Sequence, residues 1–163
     1  MIKFKSIAEQ RLDCAFKKVQ EVIRKEENYL SEEERQMTPA ARKNLGKGKS
    51  GEAAAAYHQY VKSFAMLVLN SGLVAALLFA QGKANKTDSK SRAYELIISH
   101  VTAWLKERGL TTTEGKEAII CLYGKLSHEI RPATLEAIRF LEDLKRVADA
   151  RLYKPDEKTE KNG

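Results

Sequence analysis

No His-x-x-x-His, Cys-x-x-Cys or Gly-x-Ser-x-Gly occurs in this chain of 163 residues, and each absence removes a class of chemistry. Zinc sites draw on closely spaced histidines or cysteines. His58, His100 and His128 stand on separate segments, and His128-Glu129 lacks the second histidine of a zinc motif. The only cysteines, Cys14 and Cys121, are far apart among apolar helical residues, where a thiol acts as a small hydrophobe. A disulfide scaffold is excluded on that count, and a reducing compartment is expected. The start, MIKFKSIAEQ, has no continuous apolar signal region, so a cytoplasmic location is expected. Serine nucleophiles have no strained elbow to sit on.

Gly48-Lys49-Ser50 resembles the end of a nucleotide loop. The phosphate cradle needs a glycine five positions before Gly48, where Lys43 stands, and a strand ahead of it, which the Glu/Lys-rich region does not supply. Glu32-Glu33-Glu34 suits a solvated helix start, since acids favour a helix N-terminus. Trp104 lies in register with apolar neighbours and is expected in the core. No catalytic residue, metal or cofactor is assigned, and the chain is not expected to be an enzyme.

A long unbroken apolar run is also missing. Phe64 to Ala80 (FAMLVLNSGLVAALLFA) is the most apolar stretch, and Asn70-Ser71-Gly72 divides it. A membrane span needs about 20 consecutive apolar residues. Two buried helices joined by a tight turn are expected instead, with Asn or Gly supplying the left-handed residue.

Charge is what the chain has in quantity. It carries 29 Lys and Arg against 22 Asp and Glu, a formal net charge of +7. The excess lies early: 12 basic against 8 acidic residues in 1–50, 7 against 4 in 51–110, and 10 against 10 in 111–163. A basic bias of this kind favours a polyanionic partner such as nucleic acid.

Periodicity is helical throughout, with no sustained two-residue alternation. Ser6-x-x-Glu9 is a capping box opening a helix to about Lys25, with Ala8, Leu12, Ala15, Val19, Val22 and Ile23 on one face. Residues 26–51 form a polar insert, in which Thr38-Pro39 could start a short helix and 46–51 a flexible loop. Helix returns from Glu52, with Tyr57, Tyr60, Val61, Phe64, Ala65, Leu67 and Val68 inward. Leu73 to Ala80 form the next helix, and Lys83 to Arg92 a polar linker. Ala93 to Arg108 is amphipathic and stops at Gly109. Thr111-x-x-Glu114 reads as a second capping box, before a short helix made by Ala118, Ile119, Leu122 and Tyr123. Pro132 suits the first turn of the last helix, whose core side holds Ala137, Ile138, Leu141, Leu144, Ala148 and Leu152. The chain reads as all-α: a compact single-domain bundle of roughly six helices over residues 1–153, with a disordered tail at 154–163.

The cations group by helix. Lys17, Lys18 and Arg24 lie on the first helix; Arg139, Lys145, Arg146 and Arg151 lie on the last; Lys47 and Lys49 lie in the insert. Solvated helix faces often carry such charge for solubility alone. If the first and last helices pack together, their basic edges merge into one groove that holds phosphates without reading bases.

Three segments in order resemble a known family. They are Val61 to Lys83 with its Asn-x-Gly-Leu turn, Ala93 to Gly109 with its Ala-Tyr opening and Trp-Leu near the end, and Pro132 to Leu152 with Leu-Lys-Arg-x-Ala-Asp-Ala. Together they are similar to the small α-helical subunit of the type III-B CRISPR effector, the Cmr RNA-silencing complex. The resemblance spans most of residues 6–152. It implies an all-helical protein without nuclease activity, stacked in several copies beside the other effector subunits and lining the channel where target RNA pairs with guide RNA. It carries over Lys145 and Arg146, and with them Lys62, as facing RNA or a neighbour. The chain departs from the family in lacking a proline at Met66-Leu67-Val68 and in its 26–51 insert. The competing expectation is a structural helical adaptor that never touches nucleic acid.

Overall fold

A computed structural model describes residues 4–28 and 52–152 of the chain. Every regular element among them is an α-helix: α1 (Ile7–Asn28), α2 (Glu52–Ser71), α3 (Leu73–Lys83), α4 (Ser89–Glu107), α5 (Gly115–Tyr123) and α6 (Ser127–Arg151). The readings made for 29–51, including the Thr38-Pro39 helix, Lys47 and Lys49, and for the tail at 154–163, lie outside the described residues.

Local signals set several of the ends. The Ser6 N–H donates to Glu9 Oε2 at 2.7 Å, and the Glu9 N–H donates to Ser6 Oγ at 3.2 Å. That reciprocal pair satisfies two of the donors a helix start leaves unpaired. Between α2 and α3 the chain turns on one residue, Gly72, at φ +88°. A side chain there would meet no atom within 4 Å, so glycine is required by handedness and not by space. Gly109, at φ +69°, follows α4 in the same left-handed region. Among the described residues no helix is long and apolar enough to cross a membrane.

Four expectations are corrected. Ala8 and Leu12 are exposed, and the buried face of α1 starts at Cys14 and Ala15. The first turns of α1 turn Arg11 inward instead, toward α6. Next, α4 starts four residues before Ala93, so the linker shrinks to 84–88. Asp88 caps it by accepting the Ser91 N–H at 2.8 Å, and that bond holds its carboxyl below the ordinary range. The Thr111–Glu114 box does not form. Thr111 Oγ1 donates to the Thr113 carbonyl, while the Gly115 N–H at the head of α5 donates to Thr102 Oγ1 of α4 at 2.8 Å. Tyr123 of α5 points to solvent. Finally, Pro132 sits in the second turn of α6, not the first. Its missing N–H leaves the His128 carbonyl without a helical donor. Ser127, His128, Glu129 and Arg131 around it are exposed, so water can take that carbonyl.

The core gathers on α4, which buries residues on most of its circumference, including Ile97, Ile98, Val101, Trp104 and Leu105. Trp104 is fully buried and stacks on Phe140 of α6 at 5.6 Å between centroids. Tyr57 of α2 and Leu73 and Leu77 of α3 close the other sides. The expected core side of α6 holds, with Ala137, Leu141, Leu144, Ala148 and Leu152 buried and Ile138 packed against the cluster.

Candidate nucleic-acid interface

The condition for a shared cationic surface is that α1 and α6 lie together, and they do. Arg11 reaches Glu136 and Asp143, and Arg151 donates to Gln20 Oε1 at 2.9 Å. The contacts advance together along both helices, so α1 and α6 run side by side in the same direction. Lys17, Gln20 and Arg24 follow one another at three- and four-residue spacing, which places them on one stripe of α1. Because Gln20 meets Arg151, that stripe borders the C-terminal half of α6.

Each candidate cation among the described residues then has a definite setting. Lys17, Arg24, Lys145 and Arg151 are exposed. Lys18 is half-buried and pairs with Glu21 at 3.6 Å. Arg139 and Arg146 stand on the outer ridge of α6 and lean on acids three residues earlier, Glu136 at 3.5 Å and Asp143 at 3.0 Å. Lys62 falls elsewhere: it pairs with Asp149 at 3.2 Å on the flank where α2 meets α6. His58 shares that carboxylate at 2.6 Å, and this bond, ahead of Lys62, pulls Asp149 below the ordinary range. The α1–α6 flank therefore collects Lys17, Arg24, Arg139, Arg146 and Arg151, while Lys18 turns with Glu21 toward His100 of α4. Lys145 and Arg146 are each within one turn of Asp149 on α6, which Lys62 meets from α2.

Two polar clusters escaped the sequence reading. In the first, the guanidinium of Arg11 donates from Nε to Asp143 Oδ2 at 2.8 Å and from Nη1 to Glu136 Oε1 at 3.4 Å. Glu136 Oε2 accepts the Trp104 indole N–H at 3.1 Å. Side-chain exposure is 13% for Arg11, 13% for Glu136 and 9% for Asp143, so this is an ion-pair cluster under the surface. Its legible trace is the double spacing Glu136-x-x-Arg139 and Asp143-x-x-Arg146.

In the second, the hydroxyl of buried Tyr57 lies 2.8 Å from Nδ1 of His100. Burial lowers the His100 pKa, so the ring is neutral. Nδ1 then accepts from the tyrosine, and the ring proton sits on Nε2, facing Glu21 Oε2 at 3.6 Å. That distance makes an electrostatic contact and not a hydrogen bond. The His100 N–H, with Lys25 and Lys18, holds the Glu21 carboxyl well below the usual range. His100 is thus a core residue.

Apolar groups also remain outside. Ile120 is 74% and Tyr123 78% exposed on α5, with Leu126 beside them in sequence. On the cationic side the arrangement can hold phosphate by charge and by arginine forks. Among the described residues no group of three or more His, Cys, Asp or Glu is placed to hold a metal.

The family model described as CRISPR-associated protein (Cas_Cmr5) matches residues 32–151. No curated protein matches the chain. The matched stretch covers α2 to α6 and leaves α1 outside. At that coverage the chain belongs to the Cas_Cmr5 family.

Proposed function

We propose, from the premise of Cas_Cmr5 membership, that this chain is a non-catalytic small subunit of a type III-B CRISPR ribonucleoprotein effector. In this reading several copies stack in the cytoplasm beside the other Cmr subunits and serve antiviral defence. The α1–α6 flank faces the guide–target RNA duplex and neutralises its backbone, while base pairing supplies sequence choice. The observation that carries it is the side-by-side placement of α1 and α6, which brings five of the candidate cations to one flank. Exposed Ile120, Tyr123 and Leu126 support protein neighbours, since such groups gain by burial against one. Each copy offers few phosphate contacts, so retention grows by repetition along the strand.

Reversing Lys145 and Arg146 (Lys145→Glu with Arg146→Glu) tests the reading. Both are exposed, so helicity should hold while RNA retention or assembly weakens in gel shifts and in the mass of the reconstituted complex. Unchanged retention and unchanged mass would count against it.

A second reading has its own observation. Lys18, Lys62, Arg139 and Arg146 each already have an acidic partner within the chain. An adaptor that never meets RNA would look the same. Salt-dependent crosslinking of the assembled complex to RNA separates the two, because only phosphate contact releases counterions.

A further inference from the structure

The Arg11 cluster bears on how Arg139 and Arg146 can reach a phosphate at all. Both arginines are held by acids of their own helix, yet they are 59% and 73% exposed. Those same two acids lie beneath the surface and are bound from the inner side by one guanidinium. A buried carboxylate without a partner is costly. Were Arg11 absent, Glu136 and Asp143 would have to draw their charge balance from the ridge, and Arg139 and Arg146 would be committed inward. With Arg11 present, Asp143 keeps an inner partner at 2.8 Å, and Glu136 keeps both Arg11 at 3.4 Å and the Trp104 N–H at 3.1 Å.

We propose that Arg11 is a positioning residue for RNA contact: it satisfies Glu136 and Asp143 from within, so that Arg139 and Arg146 can exchange their acids for phosphates without leaving a buried charge unpaired. The inference rests on the reading that the α1–α6 flank meets RNA. Arginine suits the role because its fork addresses both acids at once and its charge does not titrate. The two outer arginines are seven residues apart, which sets them about 10.5 Å apart along the helix on one side. They therefore act as two prongs on one strand, each steadied by its acid when no phosphate is bound.

The test is a salt titration of the full chain on single-stranded poly(U) RNA, at a temperature where circular dichroism shows every variant folded. Each phosphate contact contributes about 0.7 to the slope of log affinity against log salt. Arg11→Met should weaken binding and lower the slope by about 1.4, the value of two contacts. Adding Glu136→Gln and Asp143→Asn to that variant should restore both, since amides do not sequester the ridge arginines. The same pair of changes with Arg11 intact should bind as tightly as the parent or tighter. If Arg11→Met does not fold, Arg11→Lys replaces it. A single ammonium meets one acid at a time, so about half the loss in slope is expected. A folded Arg11 variant with the parent's slope overturns the proposal while leaving the RNA reading intact. So does a Glu136→Gln, Asp143→Asn variant that loses binding as Arg11→Met does. If the parent chain itself shows no salt-dependent binding, both fall together.

Discussion

The two polar clusters that tie α1 to the rest of the bundle are built on opposite principles. Near the start of the helix, Arg11 carries a fixed charge into a pair of carboxylates under the surface. Two to three turns later, Glu21 stays near the surface and faces a neutral, fully buried His100 that is held by Tyr57. The first cluster keeps its charges by pairing them. The second keeps charge out of the core and leaves it at the rim. One helix thus shows both ways a protein can place polar groups at depth, and the two differ in what breaks them.

The largest effect should come from the charged cluster. Arg11→Met leaves Glu136 and Asp143 buried without their inner partner, and removing one member of a buried pair costs about 3–5 kcal/mol. Chemical denaturation should show it as a lower midpoint at an unchanged slope. A loss under 1 kcal/mol would mean that the ridge arginines or water replace Arg11 freely.

The neutral cluster should respond less and through pH. Tyr57→Phe alone leaves His100 Nδ1 unpaired and should cost about 1–3 kcal/mol, while Tyr57→Phe with His100→Leu should cost less than the two single changes together. The pH dependence has a definite sign. The folded-state pKa of His100 is lowered from 6.5, so the unfolded chain binds the proton first. Stability is full above pH 6.5 and falls as pH drops toward the folded value. The Glu21 carboxyl is lowered from 4.5 to about 2, so its contribution is full above 4.5 and is lost below it. The groups facing His100 are Tyr57, Glu21, Lys18 and Lys25. The double variant should lose the decline that sets in near pH 6.5 and shrink the one below 4.5 to the part that Lys25 and Lys18 sustain, as read from thermal midpoints across that range. A decline near pH 6.5 that survives would place its source elsewhere.

The last effect lies outside both clusters and serves as their control. Gly72→Ala meets no neighbour, so its cost is the strained backbone at φ +88° and ψ 160° alone, about 1–3 kcal/mol, with no pH dependence. A larger loss would mean that the α2–α3 corner is packed more tightly than its open surroundings indicate.

What could be read from the chain beforehand follows the range over which each cause acts. The Ser6–Glu9 box, the break at Gly72 and the stop at Gly109 are settled by neighbours in sequence, and all three stand as expected. The early start of α4 was hidden because its first turn is polar even where it is buried, as at Ser91, so apolar spacing gave no sign of it; Asp88 was the available cue. Thr111-x-x-Glu114 had the right letters for a cap, yet a hydroxyl from another helix took the position. Arg11 carried no sequence signal of its role, because burial of its guanidinium depends on two acids more than a hundred residues away. For the site, the meeting of α1 and α6 was posed as a condition and is met, while the pairing of Lys62 on α2 with Asp149 on α6 joins residues too far apart in sequence for spacing to reveal.

Thr102 carries a consequence of its own. Its one oxygen donates to the Ile98 carbonyl at 2.6 Å and receives the amide that begins α5 at 2.8 Å. The first turn of the short helix bearing Ile120 and Tyr123 is therefore suspended from a single atom of its predecessor, while Ile119 and Leu122 seat its body in the core. A valine in that place would keep the shape and cut the suspension, so any neighbouring subunit seated on those two side chains would register a change made out of its reach.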